Sequence, residues 1–214
     1  MNAPRTGPRI VLHDGGLSDD WNRLSSMGVE LVEIDVVCTP DNRLVVLPSA
    51  IHMPKSVSYE IAYTRTADQL GDDRFIMVEE AITYFGSRGI TCVIDLKVGI
   101  GEEERMAQVG SSLSLGNSLV MSNNHLAIRN IEAVWDVTLG VSVGGLPVDP
   151  VAMARSARAE WIALPSWFAN PGLCNTIRRA KMRTMTFTSF TKAQFQKAMT
   201  SESDAIMIDR NLLY

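Results

Sequence analysis

Short runs of β-branched and aliphatic residues alternate with amphipathic stretches from one end of the 214-residue chain to the other. That alternation is the mark of repeated βα units and excludes a β-sandwich or a helical bundle. Strands are expected over residues 9–13, 31–37, 91–97, 118–122, 137–142, 161–164, 184–188 and 205–208. Helices are expected over 19–27, 78–87, 103–113, 124–133, 150–157, 172–180 and 192–200, several of them behind capping residues such as Ser18, Asn124 and Thr191. About eight strands with helices between them in this length match a closed (β/α)8 barrel of the TIM type. An open doubly wound sheet has the same local pattern, and periodicity does not separate the two.

Two interruptions break the pattern. After the second strand, Pro40-Asp41-Asn42 marks a turn into another apolar run ending at Leu47, and residues 48–73 show no clear amphipathic period. This segment reads as an excursion from the barrel mouth. The chain also stops at Tyr214, leaving no room for a full final helix. The terminus, or a second copy in a homo-oligomer, is expected to cover that flank.

Composition narrows the function classes. At 46% hydrophobic residues, the whole of 1–214 can form one domain with a substantial core. A net charge of -4 without a Lys/Arg run argues against a nucleic-acid footprint, whereas a small phosphorylated ligand needs only a few local cations or a metal. Cys38, Cys92 and Cys174 fit neither a disulfide framework nor a zinc knuckle and read as buried thiols. No apolar run is long enough to span a bilayer and no basic-then-apolar leader opens the chain, so a cytoplasmic location is expected.

The chemistry is concentrated in charges set inside apolar strands. In Val32-Glu33-Ile34-Asp35-Val36 two carboxylates at i and i+2 share one face of a strand. In a barrel that face is the interior or its mouth, where burying such a pair costs several kcal/mol unless a cation or hydrogen bonds compensate. A hard divalent cation, Mg²⁺ or Ca²⁺, fits the oxygen donors; an edge strand with a solvated polar face would show the same pattern. Asp95 and Lys97 repeat the device at the end of another strand. Asp95 would complete three carboxylate ligands, and Lys97 would neutralise charge developing on a phosphoryl oxygen or form an internal ion pair with Asp95. His13-Asp14-Gly15-Gly16 closes the first strand, placing a histidine where this fold keeps its active sites, with glycines that let a ligand approach the backbone.

Taken in order, these segments resemble the glycerophosphodiester phosphodiesterase family. That family has a strand ending in His-Arg-Gly, a Gly-Ala-x-x-x-Glu-x-Asp-Val strand, a Thr-x-Asp-Gly turn, a Val-Val-x-His-Asp strand and a later Glu-x-Lys strand. The counterparts here are His13-Asp14-Gly15, the run from Gly28 to Val36, Thr39-Pro40-Asp41-Asn42, the run from Leu44 to Ser49, and Asp95-Leu96-Lys97. Weaker likenesses follow at Ile76–Ala81, Met121-Ser122, Phe187-Thr188 and Asp204–Asp209.

The resemblance implies a (β/α)8 barrel and a small phosphodiester substrate. It implies Glu33, Asp35 and Asp95 as metal ligands, His13 and Lys97 as catalytic groups, and a substrate site that includes Asp14, Gly15, Ser122 and Phe187. Two positions depart from the family's pattern: Asp14 stands where it has a phosphate-binding arginine, and Pro48-Ser49 where it has a His-Asp pair. His52, a few residues further on, is the best-placed substitute for the second acid/base group. A degenerate barrel that binds a cation and a phosphorylated ligand without hydrolysis is the alternative.

Overall fold

The computed structural model describes residues 7–15, 26, 29–50, 52–71, 75–110 and 113–213. Its strands are β1 (Arg9–Leu12), β2 (Leu31–Cys38), β3 (Leu44–Val46), β4 (Ile76–Met77), β5 (Thr91–Leu96), β6 (Leu119–Ser122), β7 (Thr138–Ser142), β8 (Trp161–Pro165), β9 (Arg183–Ser189) and β10 (Ala205–Ile208). Eight of them, β1, β2 and β5 to β10, pair in parallel in that order. Pairing of β1 with β10 closes the ring, so the barrel and not the open sheet is formed. Strand order is the information that periodicity could not supply.

Helices α1 (Lys55–Thr64), α2 (Ala67–Leu70), α3 (Val78–Gly86), α4 (Glu103–Gly110), α5 (His125–Glu132), α6 (Pro150–Ser156), α7 (Pro171–Arg179) and α8 (Lys192–Met199) complete the described architecture. The five helices from α4 onward and α3 lie where the sequence places them, with ends differing by three residues or fewer. Asn124, Asp149, Asn170 and Thr191 each accept a backbone N–H of the first helical turn through their side chains, which is why α5 to α8 start where they do. The helix expected over 19–27 lies, apart from Ser26, outside the described residues. No described helix is long and apolar enough to cross a membrane.

The period of two along each strand sorts side chains into two cores. Val32, Ile34, Val36, Ile94, Leu96, Val120 and Ile162 point outward into the layer between the barrel and its helices. Val11, Leu31, Val93, Leu119, Met121, Ala163, Met185, Ala205 and Met207 fill the barrel itself. All eight residues of β2 are buried, as expected of a strand covered on both faces. Cys38, Cys92 and Cys174 are buried free thiols.

The excursion is ordered. β3 turns back antiparallel on β2, and β4 follows antiparallel on β3. Between them, α1 and α2 cover a separate small core of Val37, Val45, Leu47, Ala62, Leu70 and Phe75. These helices correct the reading of 48–73 as irregular. Helix α1 begins after Pro54 with no side-chain cap and lacks acidic residues in its first turn, so it carried no start signal. After β10, the 3₁₀ turn Arg210–Leu213 lays Leu212 and Leu213 against the cluster of Ala198, Ile206 and Ile208.

Gly15 is where β1 hands the chain to the mouth. Its N–H donates to the Glu33 carbonyl at 2.8 Å, and a Cβ there would stand 1.9 Å from Cγ2 of Val32. Gly15→Ala is therefore expected to destabilise the fold by about 1–3 kcal/mol through overpacking, read from the midpoint of denaturant unfolding.

Candidate active site at the barrel mouth

On three neighbouring strands the inward positions change from apolar to charged as they approach the C-terminal face. Val11 is followed by His13, Leu31 by Glu33 and Asp35, and Val93 by Asp95 and Lys97. Pairing in register sets Asp35 beside Asp95. These side chains, with Asp14, Lys55 and Tyr59, line one wall of a cavity of ≈ 510 Å³ at the mouth. That is within the range of small-molecule sites.

The charges form an alternating chain. Lys55 Nζ lies 2.8 Å from Asp14 Oδ1 and 2.7 Å from Asp35 Oδ2. Lys97 Nζ lies 2.9 Å from Asp35 Oδ1 and also pairs with Asp95. Asp14 is held further by Ser49 Oγ at 2.8 Å and the Ala50 N–H at 2.9 Å, both donating to its Oδ2. Its own N–H donates to Glu33 Oε2 at 2.8 Å. The two departures from the family pattern, Asp14 and Ser49, therefore touch each other. Lys55 on α1 sets a positive charge beside Asp14.

Burial raises the pKa of Glu33 well above the usual carboxylate range, with Asp35 and Asp95 adding repulsion. Burial also raises Asp95, against the pull of Lys97. For Asp35 burial acts the same way but is overcome by Lys97 and Lys55, which hold the carboxyl down at about 2. Both lysines are raised despite burial, Lys55 by Asp35 and Asp14 and Lys97 by Asp95 and Asp35, so both stay charged. Desolvation lowers His13 below its ordinary value against the nearby Asp14 and Asp35, so its imidazole is neutral at pH 7.

Glu33, Asp35 and Asp95 each bring a carboxylate oxygen within 4.8 Å of the others, close enough to hold a metal ion. The donor set fits a hard divalent cation. Four carboxylates face two ammoniums at this wall, a formal charge of minus two when all are ionised. Both oxygens of Asp35 are ion-paired, so ligation by Asp35 requires an ammonium to give way. Ligation also requires Glu33 to lose the proton that its raised pKa favours. The Tm gain from Ca²⁺ or Mg²⁺ is therefore expected to be several degrees larger at pH 8 than at pH 5, and Glu33→Gln to abolish most of it, in calorimetric melts. Sign follows from linkage: Glu33's raised pKa contributes stability below its unfolded value that is lost as pH rises through the folded one. Metal-free Glu33→Gln should accordingly melt above the metal-free wild type at pH 8.

Other expected site residues are placed as follows. Phe187 lines the cavity, on the wall opposite the charges. Ser122 is buried behind that wall, donating to the Leu96 carbonyl at 2.7 Å and accepting from the Asn124 N–H at 3.1 Å; its neighbour Asn123 is the residue that reaches the cavity. Gly15 packs on Val32 and Glu33 beneath the mouth. His52 sits in the turn after β3, its N–H donating to the Ser49 carbonyl at 2.9 Å, and is not among the side chains lining the cavity.

Lys55 and Tyr59 were missed in the sequence. Their i, i+4 spacing puts both on one face of α1, over the mouth, and that spacing was the available signal once α1 is recognised as a helix. A lysine in the first turn of a helix opposes the macrodipole. Its two carboxylate partners explain why it stands there.

Fold and site together define a (β/α)8 barrel with a lysine-bridged carboxylate cluster at the face where such barrels carry out chemistry. More narrowly, the fold is that of the glycerophosphodiester phosphodiesterases. A phosphodiesterase from Oleispira antarctica, solved in complex with the product sn-glycerol-3-phosphate, has a TM-score of 0.76 and 19% identity over 94% of this chain and 93% of its own. A glycerophosphodiester phosphodiesterase from Parabacteroides distasonis has a TM-score of 0.75 and 16% identity over 97% of both chains. The glycerol uptake operon antiterminator regulatory protein from Listeria monocytogenes is also similar, with a TM-score of 0.57 and 10% identity over 97% of this chain and 95% of its own. No family model matches the sequence. No curated protein matches it either.

Proposed function

We propose that the chain is a metal-dependent phosphodiesterase acting on a diester of the glycerophosphodiester type, with its reaction at the barrel mouth. The observation that carries this reading is the convergence of Glu33, Asp35 and Asp95 with Lys97 and His13 on one cavity wall. The fold shared with glycerophosphodiester phosphodiesterases supports it. A divalent cation bound by the three carboxylates would act as a Lewis acid on a phosphoryl oxygen.

The protein's own groups divide the remaining work. Lys97 sets an ammonium beside the carboxylates, where charge develops on the phosphoryl group. Lys55 has Asp14 as a second partner, so it can leave Asp35 without losing all its counter-charge, and it then grips a non-bridging oxygen in place of the family's arginine. His13 is the one histidine among the cavity-lining residues. Being neutral, it first takes a proton from the attacking hydroxyl, of water or of the substrate, and then returns it to the departing alkoxide. Tyr59, whose phenol burial keeps protonated, is a further donor on that side.

The test is hydrolysis of an aryl phosphodiester and of glycerophosphocholine with Mg²⁺, Ca²⁺ or Mn²⁺, beside a chelator control. Turnover that the chelator removes supports the proposal; no turnover with any metal overturns it. The binding-module reading gains from one specific observation, that His52 is absent from the cavity lining and no other histidine faces His13 there. A relative of the same fold that is a regulatory protein shows that the barrel alone does not decide. Saturable binding of Ca²⁺ and sn-glycerol-3-phosphate without turnover would establish that second reading.

A further inference from the structure

Asp35 carries an ammonium on each carboxylate oxygen, and the two ammoniums differ in what else they hold. Lys97 pairs with Asp35 and Asp95, both members of the three-carboxylate set that could hold a metal ion. Its backbone is fixed just past β5, its N–H donating to the Val36 carbonyl at 2.8 Å and its carbonyl accepting from the Tyr63 hydroxyl at 3.3 Å. Leaving the carboxylates would strand its charge. Lys55 pairs with Asp35 at 2.7 Å and with Asp14 at 2.8 Å, and Asp14 stands outside that set. Only Lys55 has a counter-charge to keep when a metal takes Asp35.

Asp14 is a second seat for this ammonium that does not depend on Asp35. Ser49 Oγ at 2.8 Å and the Ala50 N–H at 2.9 Å both donate to its Oδ2, which leaves Oδ1 facing Lys55. The Pro48 carbonyl lies 3.3 Å from the same Nζ and accepts from it. Lys55 also lines the cavity with its side chain 25% exposed, so an anion that enters the mouth can reach it. A cation held by Glu33, Asp35 and Asp95 needs an oxygen of Asp35, and in the empty site both are taken. Metal and Lys55 compete for one carboxylate, whereas an anion that draws Lys55 away removes the competitor.

We infer that Lys55 is an internal competitor of the metal: seated on Asp35 it weakens cation binding to the empty site, and a tetrahedral oxyanion in the cavity draws it off and so raises the affinity for the cation. The inference rests on the proposed metal site and adds its regulation, in that the cation is loaded together with the oxyanion and not ahead of it. By linkage the effect is reciprocal, and couplings of this kind run to about 5–150-fold.

Isothermal titration reads the coupling without turnover. Mg²⁺ is titrated into the wild type, Lys55→Met, Lys55→Gln and Lys192→Met at pH 8, each in sulfate and in chloride of equal ionic strength. Lys192 is exposed at the start of α8 and is not among the cavity-lining residues, so its loss changes net charge without freeing Asp35. In chloride, Mg²⁺ is expected to bind both Lys55 variants about 10-fold tighter than the wild type, and Lys192→Met within about twofold of it. Sulfate should tighten Mg²⁺ about 10-fold in the wild type and in Lys192→Met. That factor should fall at least about threefold in both Lys55 variants, where only direct attraction between the two ions remains. Two variants are used because an uncharged side chain at position 55 could disturb α1, and thermal melts in chloride check that each folds. The inference is overturned, with the metal site left standing, by any of three results: Mg²⁺ affinity that sulfate leaves unchanged in the wild type, a sulfate effect of full size in both Lys55 variants, or Mg²⁺ no tighter in them than in Lys192→Met. Absence of saturable Mg²⁺ binding in all four proteins overturns the metal site, and the inference with it.

Discussion

Asp35→Asn lowers the stability of the metal-free protein by about 2–4 kcal/mol, a drop in Tm of roughly 4–16 °C for a domain of this size. The cause is the position of Asp35 between two ammoniums, Lys55 at 2.7 Å and Lys97 at 2.9 Å. With the side chain 12% exposed, solvent screens little of the loss. Removing one partner of a buried ion pair costs about 3–5 kcal/mol; here Lys55 keeps Asp14 and Lys97 keeps Asp95, which brings the expected value towards the lower end.

The same ion pairs set the pH dependence through linkage. The Asp35 carboxyl is held down at about 2, against an ordinary 3.8, and at about 1.4 kcal/mol per unit this is again about 2 kcal/mol. Because the folded value is depressed, this contribution is present above the unfolded pKa and is lost as pH falls from about 4 through about 2. Wild type should lose more stability than Asp35→Asn across that window. The raised carboxyls Glu33 and Asp95 act in the opposite sense in both proteins. Calorimetry between pH 7 and pH 2 reads the difference; curves within about 0.5 kcal/mol of each other throughout would show that the lysine bridge contributes nothing.

On the proposed function, His13→Ala is expected to reduce turnover by about 10²–10⁴-fold with a small change in substrate binding, since proton transfer acts in the transition state. With burial holding the imidazole below its ordinary 6.5, the wild-type rate should stay level at neutral pH and fall only at pH values lower than those at which an ordinary imidazole takes up its proton. His52→Ala should stay within about threefold of wild type, because the side chain is not among those facing the cavity. A 10²-fold loss in His52→Ala would instead restore the two-histidine pair that the sequence resemblance implies, and would require the turn after β3 to move His52 towards the site. Steady-state kinetics with glycerophosphocholine, and single-turnover runs if product release limits, separate these outcomes.

Much of the fold was written locally. Period-two hydrophobicity with carboxylates at i and i+2 determined that β2 carries Glu33 and Asp35 on one face, and the same rule put Asp95 beside Lys97. Capping residues determined where α5 to α8 begin. These features depend on residues only a few positions apart, so they survive in a single sequence.

What only the tertiary structure decided depends on groups brought together from far along the chain. Closure of the barrel rests on β1 pairing with β10, nearly the full chain length away. Helix α1 has no cap and opens on a lysine, so its local sequence argues against it; packing of Ala62 with Val37, Val45 and Leu47 and the ion pairs of Lys55 with Asp14 and Asp35 settle it. Asp14 read as a charge reversal at a phosphate site. In the fold it joins Ser49 and Lys55 from 35 and 41 residues away, so its charge is met by an ammonium from the excursion. Charge balance is a property of the space around a group, and sequence spacing reports on that space only within one strand face or one helical turn.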